Sequence, residues 1–203
     1  MISREIENGI VHIYKNDPSL ARIIDISSSC NLKPKRNHYL TILRSIINQQ
    51  LSSAAAASIY KNLLVYYNYK PLPEKIINTR ASDLRTMGLS NAKVRYIKDF
   101  SEKIVNGDIN FRGLSKKSDI EIIEEFTNVK GVGEWTVQMF LIFNLNRLNI
   151  LPVKDQGIKR GAMIVYKLRK LPDEKKLLTI SLKNKWAPYN SIASWYLWTA
   201  LEL

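Results

Sequence analysis

The sequence predicts an all-α, two-lobed helical protein, and three observations support this. Apolar residues recur at helical spacing in successive segments from residue 36 to the C-terminus. Strand signals are poor, because the apolar run Ile150–Val153 is too short to indicate a strand. No Gly/Ser-rich or Pro-rich linker interrupts the 203 residues, so we expect one domain, 1–203, whose two lobes flank a cleft.

Periodicity places seven helices along this domain. In order, they span Arg36–Gln50, the residues after a cap at Ser52 or Ser53, Asn91–Val105, Asp119–Phe126, Trp135–Leu145, Gln156–Leu168 and Ser191–Leu203. The first three carry one apolar stripe each; for the first helix this is Tyr39, Leu43, Ile46 and Ile47. The fourth is short and acidic on its outer side. The fifth is apolar nearly all round, which predicts a central buried helix.

Charge is the strongest compositional feature. The chain has 31 Lys and Arg against 18 Asp and Glu, a net charge of +13, which favours a polyanionic partner. Nucleic acid is the first candidate and an anionic membrane surface the second; a generally lysine-rich proteome is the alternative explanation. The longest apolar stretch, around Met139–Phe143, is far shorter than the ~20 residues that span a bilayer. A peripheral membrane protein is supported by the charge alone, and no strongly amphipathic basic helix stands out, so we expect no membrane partner.

The single cysteine, Cys30, excludes an internal disulfide framework, a cysteine-based zinc site and a cysteine-ligated iron–sulfur cluster. His12 and His38 are too far apart to form a local metal site. One free thiol fits a reducing, intracellular setting.

A glycine hairpin, Thr127–Thr136, separates the fourth and fifth predicted helices. Gly131 and Gly133 flank Val132, and glycines there leave the first amides of the following helix accessible. Together with the positive end of the helix dipole, those amides could bind one DNA phosphate through main chain alone. The segment resembles the hairpin of the helix-hairpin-helix motif. A glycine C-cap and a tight turn without a ligand explain the pattern equally well.

Three further segments extend this resemblance: 45–52 (SIINQQLS), 151–161 (LPVKDQGIKRG) and 186–198 (WAPYNSIASWYLW). In this order with the hairpin they resemble the helix-hairpin-helix superfamily of DNA base-excision glycosylases, above all its 3-methyladenine DNA glycosylase II branch. The resemblance covers about Asn37–Leu203. It implies the DNA-glycosylase fold, with the motif at about 118–145. It also implies excision of alkylated purines from damaged double-stranded DNA by base flipping.

The resemblance makes Asp155 catalytic. Cleavage of the bond between deoxyribose and base builds positive charge on the sugar, and a nearby carboxylate stabilises that charge and assists the attacking water. Local sequence alone favours a simpler role, because an aspartate directly before a helix is a good N-cap. The two roles are compatible, since a capping carboxylate is also rigidly held.

Trp135 stands where bifunctional relatives carry a lysine that attacks the sugar. An indole cannot form a Schiff base, so the resemblance implies a monofunctional enzyme without strand cleavage. Trp135 and Tyr189 resemble aromatic residues of the base pocket, where stacking and cation–π attraction favour a cationic base. The remaining C-terminal aromatics, which are Trp186, Trp195, Tyr196 and Trp198, are expected in the core.

Other DNA contacts are also carried over from the resemblance. The turn after the first predicted helix supplies a wedge, here Gln50 or Leu51; a polar helix end followed by a core leucine is the alternative. Independently of the resemblance, their charge makes Lys130 and Lys159 candidate phosphate contacts, together with the basic residues near Arg36, Lys93 and Lys154; we expect most of these side chains to be solvated and a minority to contact phosphate. Relatives bind a monovalent cation through hairpin carbonyls, so Na⁺ or K⁺ would be held by Thr127, Val129 and Val132. No other cofactor is expected.

One departure from the family is Asn190, where relatives often have arginine, and this puts in doubt any contact that an arginine would make. Two alternatives remain: a non-catalytic lesion-sensing DNA binder on the same scaffold, and a glycosylase with another lesion specificity. We expect a monomer. It would act in the cytoplasm at the nucleoid in a prokaryote, or in the nucleus of a eukaryote.

Overall fold

The computed structural model describes residues 4–35 and 37–203, and this part of the chain contains twelve α-helices and no β-strand. The helices are α1 (Arg4–Asn16), α2 (Pro18–Ile26), α3 (His38–Asn48), α4 (Ser53–Tyr66), α5 (Pro73–Asn78), α6 (Ala81–Thr86), α7 (Asn91–Val105), α8 (Asp119–Thr127), α9 (Glu134–Phe143), α10 (Gln156–Val165), α11 (Glu174–Lys183) and α12 (Asn190–Thr199). The all-α prediction is confirmed. None of the described helices is both long and apolar enough to cross a bilayer.

The chain divides into two compact units, and the division falls within α9. The terminal unit comprises residues 4–35 and 141–203, in which α12 packs against α1, α2 and α10. Its core includes the fully buried Trp186 and the nearly buried Tyr196, as the sequence predicts. Trp195 and Trp198, predicted in the core as well, are only half-buried.

The central unit comprises residues 37–140, in which α7 packs against α3, α5 and α6. Its core contains Phe100, Phe126 and Phe140, which are 0 to 3% exposed; the rings of Phe126 and Phe140 are stacked at 5.4 Å. The central unit therefore has an aromatic core of its own, on which α3, α7 and α9 can be held in fixed positions.

A buried carboxylate organises the terminal unit. Asp17 is fully buried and caps α2, because its Oδ1 accepts the amides of Ser19 and Leu20 at 3.0 Å each. Its Oδ2 accepts the Tyr166 hydroxyl and, at 2.8 Å, the indole Nε1–H of Trp186. Burial raises the pKa of the Tyr166 hydroxyl, so it stays a donor. These four donors compensate a buried charge that would otherwise strongly destabilise the fold.

All seven predicted helices are present. The bounds of α7 agree with the prediction, and the other helices whose ends were predicted differ from it by one to a few residues, a usual uncertainty at helix ends. Ser52, one of the two alternatives, is the cap of α4: its Oγ accepts the Ala55 amide at 3.3 Å. Arg36, the predicted start of the first helix, lies outside the described residues. Five helices, α1, α2, α5, α6 and α11, were not predicted from the periodicity.

Candidate functional site

Asp155 is the N-cap of α10 in the terminal unit. Its Oδ1 accepts two hydrogen bonds, from the amide of Ile158 at 2.7 Å and from the indole Nε1–H of Trp198 at 2.9 Å. The residue is 8% exposed, so the carboxylate lies in nearly dry surroundings. The capping interaction predicted as the alternative role is therefore present, and the two donors fix the orientation of the acid.

Trp198 has a different place from the one that the sequence predicts. Its indole lies beside Asp155 instead of in the core, and its ring is 5.5 Å from that of Phe143. The sequence gives no local indication of this contact, because 43 residues separate the two partners.

Gly157 allows the contact between the indole and the carboxylate. A Cβ at this position would lie 2.8 Å from Trp198 Cδ1 and 3.0 Å from both Trp198 Nε1 and Asp155 Oδ1. Any side chain at residue 157 would therefore displace the donor or the acceptor. A glycine in the first turn of a helix lowers helix stability, so its presence at residue 157 is the feature of the sequence that could have indicated a special role.

The hairpin, Thr127–Thr136, follows α8 in the central unit and leads into α9. Gly131 has φ +78°, and a Cβ there would lie 2.3 Å from the Tyr96 ring, so only glycine fits. Gly133 differs, because a Cβ there would meet no described atom within 4 Å. Its carbonyl accepts the Val137 amide at 3.2 Å, which makes Gly133 the N-cap of α9. Its amide donates to no acceptor among the described residues, as is usual for the first amides of a helix.

The turn between α3 and α4 carries both wedge candidates. Gln50 is exposed and has φ +56°, a left-handed conformation that is uncommon for a residue other than glycine. Leu51 is 39% exposed, so it is not the core leucine of the alternative interpretation. Both side chains are therefore accessible at the tip of this turn. Strained backbone of this kind is often found at functional sites.

The two predicted stacking residues lie in different units. Trp135, in the first turn of α9 in the central unit, is 45% exposed. Tyr189 precedes α12 in the terminal unit and is half-buried against α1, where its ring lies 5.2 Å from that of His12. A Cβ on Gly9 would come within 2.6 Å of the Tyr189 ring, so this ring packs closely against the helix.

The basic candidates differ in exposure. Lys130 is exposed, and its ammonium lies 3.3 Å from Asp99 Oδ1; Lys159 lies in the first half of α10 and is half-buried. Lys93 is only 9% exposed, and its ammonium donates to the Ile47 carbonyl at 2.5 Å. Burial lowers the pKa of Lys93. The prediction that Lys93 is a phosphate contact is therefore wrong: this lysine holds the end of α3.

Asn190, the predicted departure from the family, has hydrogen-bond partners of its own. Its Oδ1 accepts the Ser181 hydroxyl at 2.7 Å, and its Nδ2 donates to Asn149 Oδ1 at 2.7 Å. This residue therefore ties α11 and α12 to the segment before α10, and has a structural role within the terminal unit.

The three predicted cation ligands occupy the first half of the hairpin. Thr127 is the last residue of α8, where carbonyls lack intrahelical donors and the helix dipole favours a cation. Val129 and Val132 are buried, and the Val129 carbonyl also accepts the Val132 amide at 3.0 Å. Neutral oxygens fit a hard monovalent ion. No group of three or more His, Cys, Asp or Glu side chains that could hold a metal occurs in residues 4–35 and 37–203.

Comparison with known proteins agrees with this geometry. The profile of the HhH-GPD superfamily of base excision DNA repair proteins matches residues 43–188. The chain is 31% identical over 201 residues to DNA-3-methyladenine glycosylase 1 of Schizosaccharomyces pombe, which covers 95% of this chain and 86% of that protein. The solved structure of S. pombe 3-methyladenine DNA glycosylase with abasic DNA has a TM-score of 0.80 and 30% identity, covering 97% of both chains. A DNA-3-methyladenine glycosidase from Bacillus halodurans gives a TM-score of 0.85 and 35% identity, covering 95% of this chain and 88% of that chain.

Proposed function

Because the chain belongs to the HhH-GPD superfamily of base excision DNA repair proteins, we propose that it is a DNA glycosylase for alkylated purines. It hydrolyses the N-glycosidic bond of 3-methyladenine and related bases in duplex DNA. The observation that carries this proposal is the nearly dry, doubly hydrogen-bonded carboxylate of Asp155. Its partner is damaged double-stranded DNA. The enzyme acts as a monomer, at the nucleoid of a prokaryote or in the nucleus of a eukaryote.

Asp155 supplies the chemistry. As the base departs, positive charge develops on the deoxyribose, and a carboxylate about 4 Å away contributes about 4 kcal/mol at an effective dielectric constant of about 20. The same carboxylate can orient the attacking water or accept a proton from it. A base that is already alkylated and cationic leaves without a general acid, so one carboxylate suffices.

The central unit supplies the hairpin and wedge contacts to DNA. The amide of Gly133 at the N-terminus of α9 binds one phosphate, and Lys130 adds charge without reading sequence. Gln50 or Leu51 fills the gap when the damaged nucleotide leaves the stack. Trp135 and Tyr189 stack on the extruded base, and Lys159 contacts the backbone.

Two further properties belong to the proposal. Trp135 offers no amine to attack the sugar, so the product is an intact abasic site and the strand stays uncut. The carbonyls of Thr127, Val129 and Val132 hold Na⁺ or K⁺, which would steady the hairpin. No other cofactor is required.

Release of free base from a methylated duplex tests the proposal. The wild-type protein should release 3-methyladenine, and Asp155→Asn should lower the single-turnover rate by at least about 100-fold, because the cation loses its counter-charge. Affinity for a duplex with an abasic-site analogue should persist, since asparagine is an equally good N-cap.

Asp173→Asn is the matched control. Asp173 caps α11 through the Lys176 amide at 2.7 Å, so this substitution makes the same chemical change at another helix start. It should leave base release unchanged. A wild-type protein that binds lesion DNA but frees no base would instead be a lesion-sensing binder, and a panel of defined lesions separates the possible specificities. Strand cleavage without alkali would contradict the role given to Trp135.

A further inference from the structure

The turn that carries the wedge candidates and the hairpin that binds phosphate are joined by a direct contact. We call residues Gln49–Leu51 the wedge turn. The side-chain Nε2 of Gln49 donates to the Gly131 carbonyl at 2.7 Å, across 82 residues of sequence. Gln49 is the C-cap residue of α3 and the immediate neighbour of Gln50, whose backbone is left-handed. A single side chain therefore connects the wedge turn to the tip of the hairpin.

One face of α7 holds the same two segments. Lys93, Tyr96 and Asp99 follow each other at three-residue spacing, which puts them on one side of the helix. Lys93 binds the Ile47 carbonyl in the last turn of α3, as described above. The Tyr96 ring lies over Gly131. This face of α7 therefore contacts both the base of the wedge turn and the top of the hairpin.

Asp99 fixes the hairpin most strongly. Its Oδ2 accepts the Lys130 amide at 2.9 Å, and its Oδ1 lies 3.3 Å from the Lys130 ammonium. The Asp99 side chain is only 13% exposed, although the residue that donates to it, Lys130, is exposed. The Lys130 ammonium is mostly exposed, so the ion pair itself adds little.

We propose that Gln49 is a positioning residue that makes the wedge turn and the hairpin one rigid body with α7. Capture of a phosphate by the hairpin then places the wedge at a fixed distance along the DNA, before any base leaves the stack. Both loops are already ordered in the free protein, so the free energy of DNA binding is not spent on ordering them. This inference rests on the proposed function, because it assumes that both segments touch DNA.

The test replaces Gln49 by methionine, which keeps the length of the side chain but cannot donate. The matched control is Asn62→Leu, because Asn62 Nδ2 also donates to a main-chain carbonyl in the central unit, that of Met87 at 3.3 Å. The probes are a duplex with a tetrahydrofuran abasic-site analogue for binding, and two duplexes for single-turnover base release. In one the alkylated purine is paired, and in the other it stands opposite an abasic site.

Gln49→Met should bind the abasic duplex about 5- to 10-fold more weakly, and should release the paired base about tenfold more slowly. Release of the unpaired base should fall by less than about twofold, because that base costs little to extrude and the wedge matters less. Asn62→Leu should match the wild type in all three measurements, while both variants lose similar thermal stability.

Equal behaviour of Gln49→Met and Asn62→Leu would overturn the inference, and so would an equal loss on the paired and unpaired substrates, which indicates a merely structural role. If Gln49→Met does not fold, Gln49→Glu serves, because a carboxylate of the same length is repelled by the Gly131 carbonyl and should give the same pattern. A wild-type protein that releases no base from either duplex would refute the proposed function instead.

Discussion

The two units of this protein hold their candidate residues by opposite means. In the terminal unit a carboxylate is oriented by another side chain, since Trp198 donates to Asp155. In the central unit the hairpin presents main chain to the phosphate, and side chains hold that main chain in place, as Asp99 does at Lys130. Charge stabilisation needs a particular acid in a dry place, whereas phosphate binding needs only accessible amides. The terminal unit should therefore be sensitive to a change of chemistry and the central unit to a change of shape.

Trp198→Phe should have the largest effect in the terminal unit, because it keeps an aromatic ring but removes the donor that orients Asp155. Loss of one hydrogen bond to a charged acceptor costs about 1.5–3 kcal/mol, so we expect kcat to fall about 10- to 100-fold. Affinity for an abasic duplex should change little, because the hairpin lies in the other unit. Single-turnover base release and fluorescence anisotropy measure the two effects. An unchanged kcat would show that the indole does not orient the acid.

Substitutions at the two glycines of the hairpin test whether the central unit is sensitive to a change of shape. Gly131→Ala should destabilise the protein by about 1–3 kcal/mol, because the new Cβ meets the Tyr96 ring and the backbone has positive φ. Gly133→Ala has no described neighbour to displace, so the free energy of unfolding should fall by no more than about 1 kcal/mol, the loss expected when alanine replaces glycine at an N-cap. DNA affinity should nevertheless fall several-fold, since the methyl group stands where the phosphate approaches. Urea titration and a binding curve for each variant suffice; equal affinity of Gly133→Ala and wild type would contradict phosphate binding at this amide.

The smallest expected effect concerns Lys93, which stabilises the end of α3 and not DNA. Burial lowers the pKa of its ammonium in the folded protein, so the unfolded chain binds more protons between that lowered pKa and the ordinary value of about 10.4. In this interval the free energy of unfolding of the wild type should rise with pH relative to that of Lys93→Met. Denaturant titrations from pH 8 to pH 10.5 measure the difference. A wild-type curve that falls relative to the variant would have the wrong sign for a buried lysine.

The sequence predicts a helix well where the residues that form it give a clear local pattern, and less well where the element is short or lacks such a pattern. Helix α7 is predicted with its bounds because a clear apolar stripe runs through its fifteen residues. Helices α5 and α6 have six residues each, too few to show a period. In α1 the residues Ile6, Ile10 and Ile13 do recur at helical spacing, so this helix could have been predicted from its periodicity. The start of α2 carries a readable signal, an aspartate cap followed by proline, that periodicity alone overlooks.

For the candidate site, the sequence predicts single residues better than their partners. The cap geometry of Asp155 follows from an aspartate placed directly before a helix. Its bond to Trp198, the bond from Gln49 to the hairpin and the bond from Asp99 to Lys130 each join residues more than thirty positions apart. Such pairings depend on tertiary packing, and a single sequence carries no local record of them. The roles of Trp135, Tyr189 and Lys159 stay predictions.

The buried Asp17 has a practical consequence for anyone who trims this protein. Removing the segment before α3 would delete the acceptor of both the Tyr166 hydroxyl and the Trp186 indole, two groups deep in the C-terminal half of the chain. Both donors would then lie in an apolar interior without an acceptor, which lowers the free energy of unfolding by about 1–3 kcal/mol each. A fragment that keeps the hairpin and Asp155 but lacks the first two helices should therefore be insoluble or unfolded, although it would contain Asp155, the wedge turn and the hairpin.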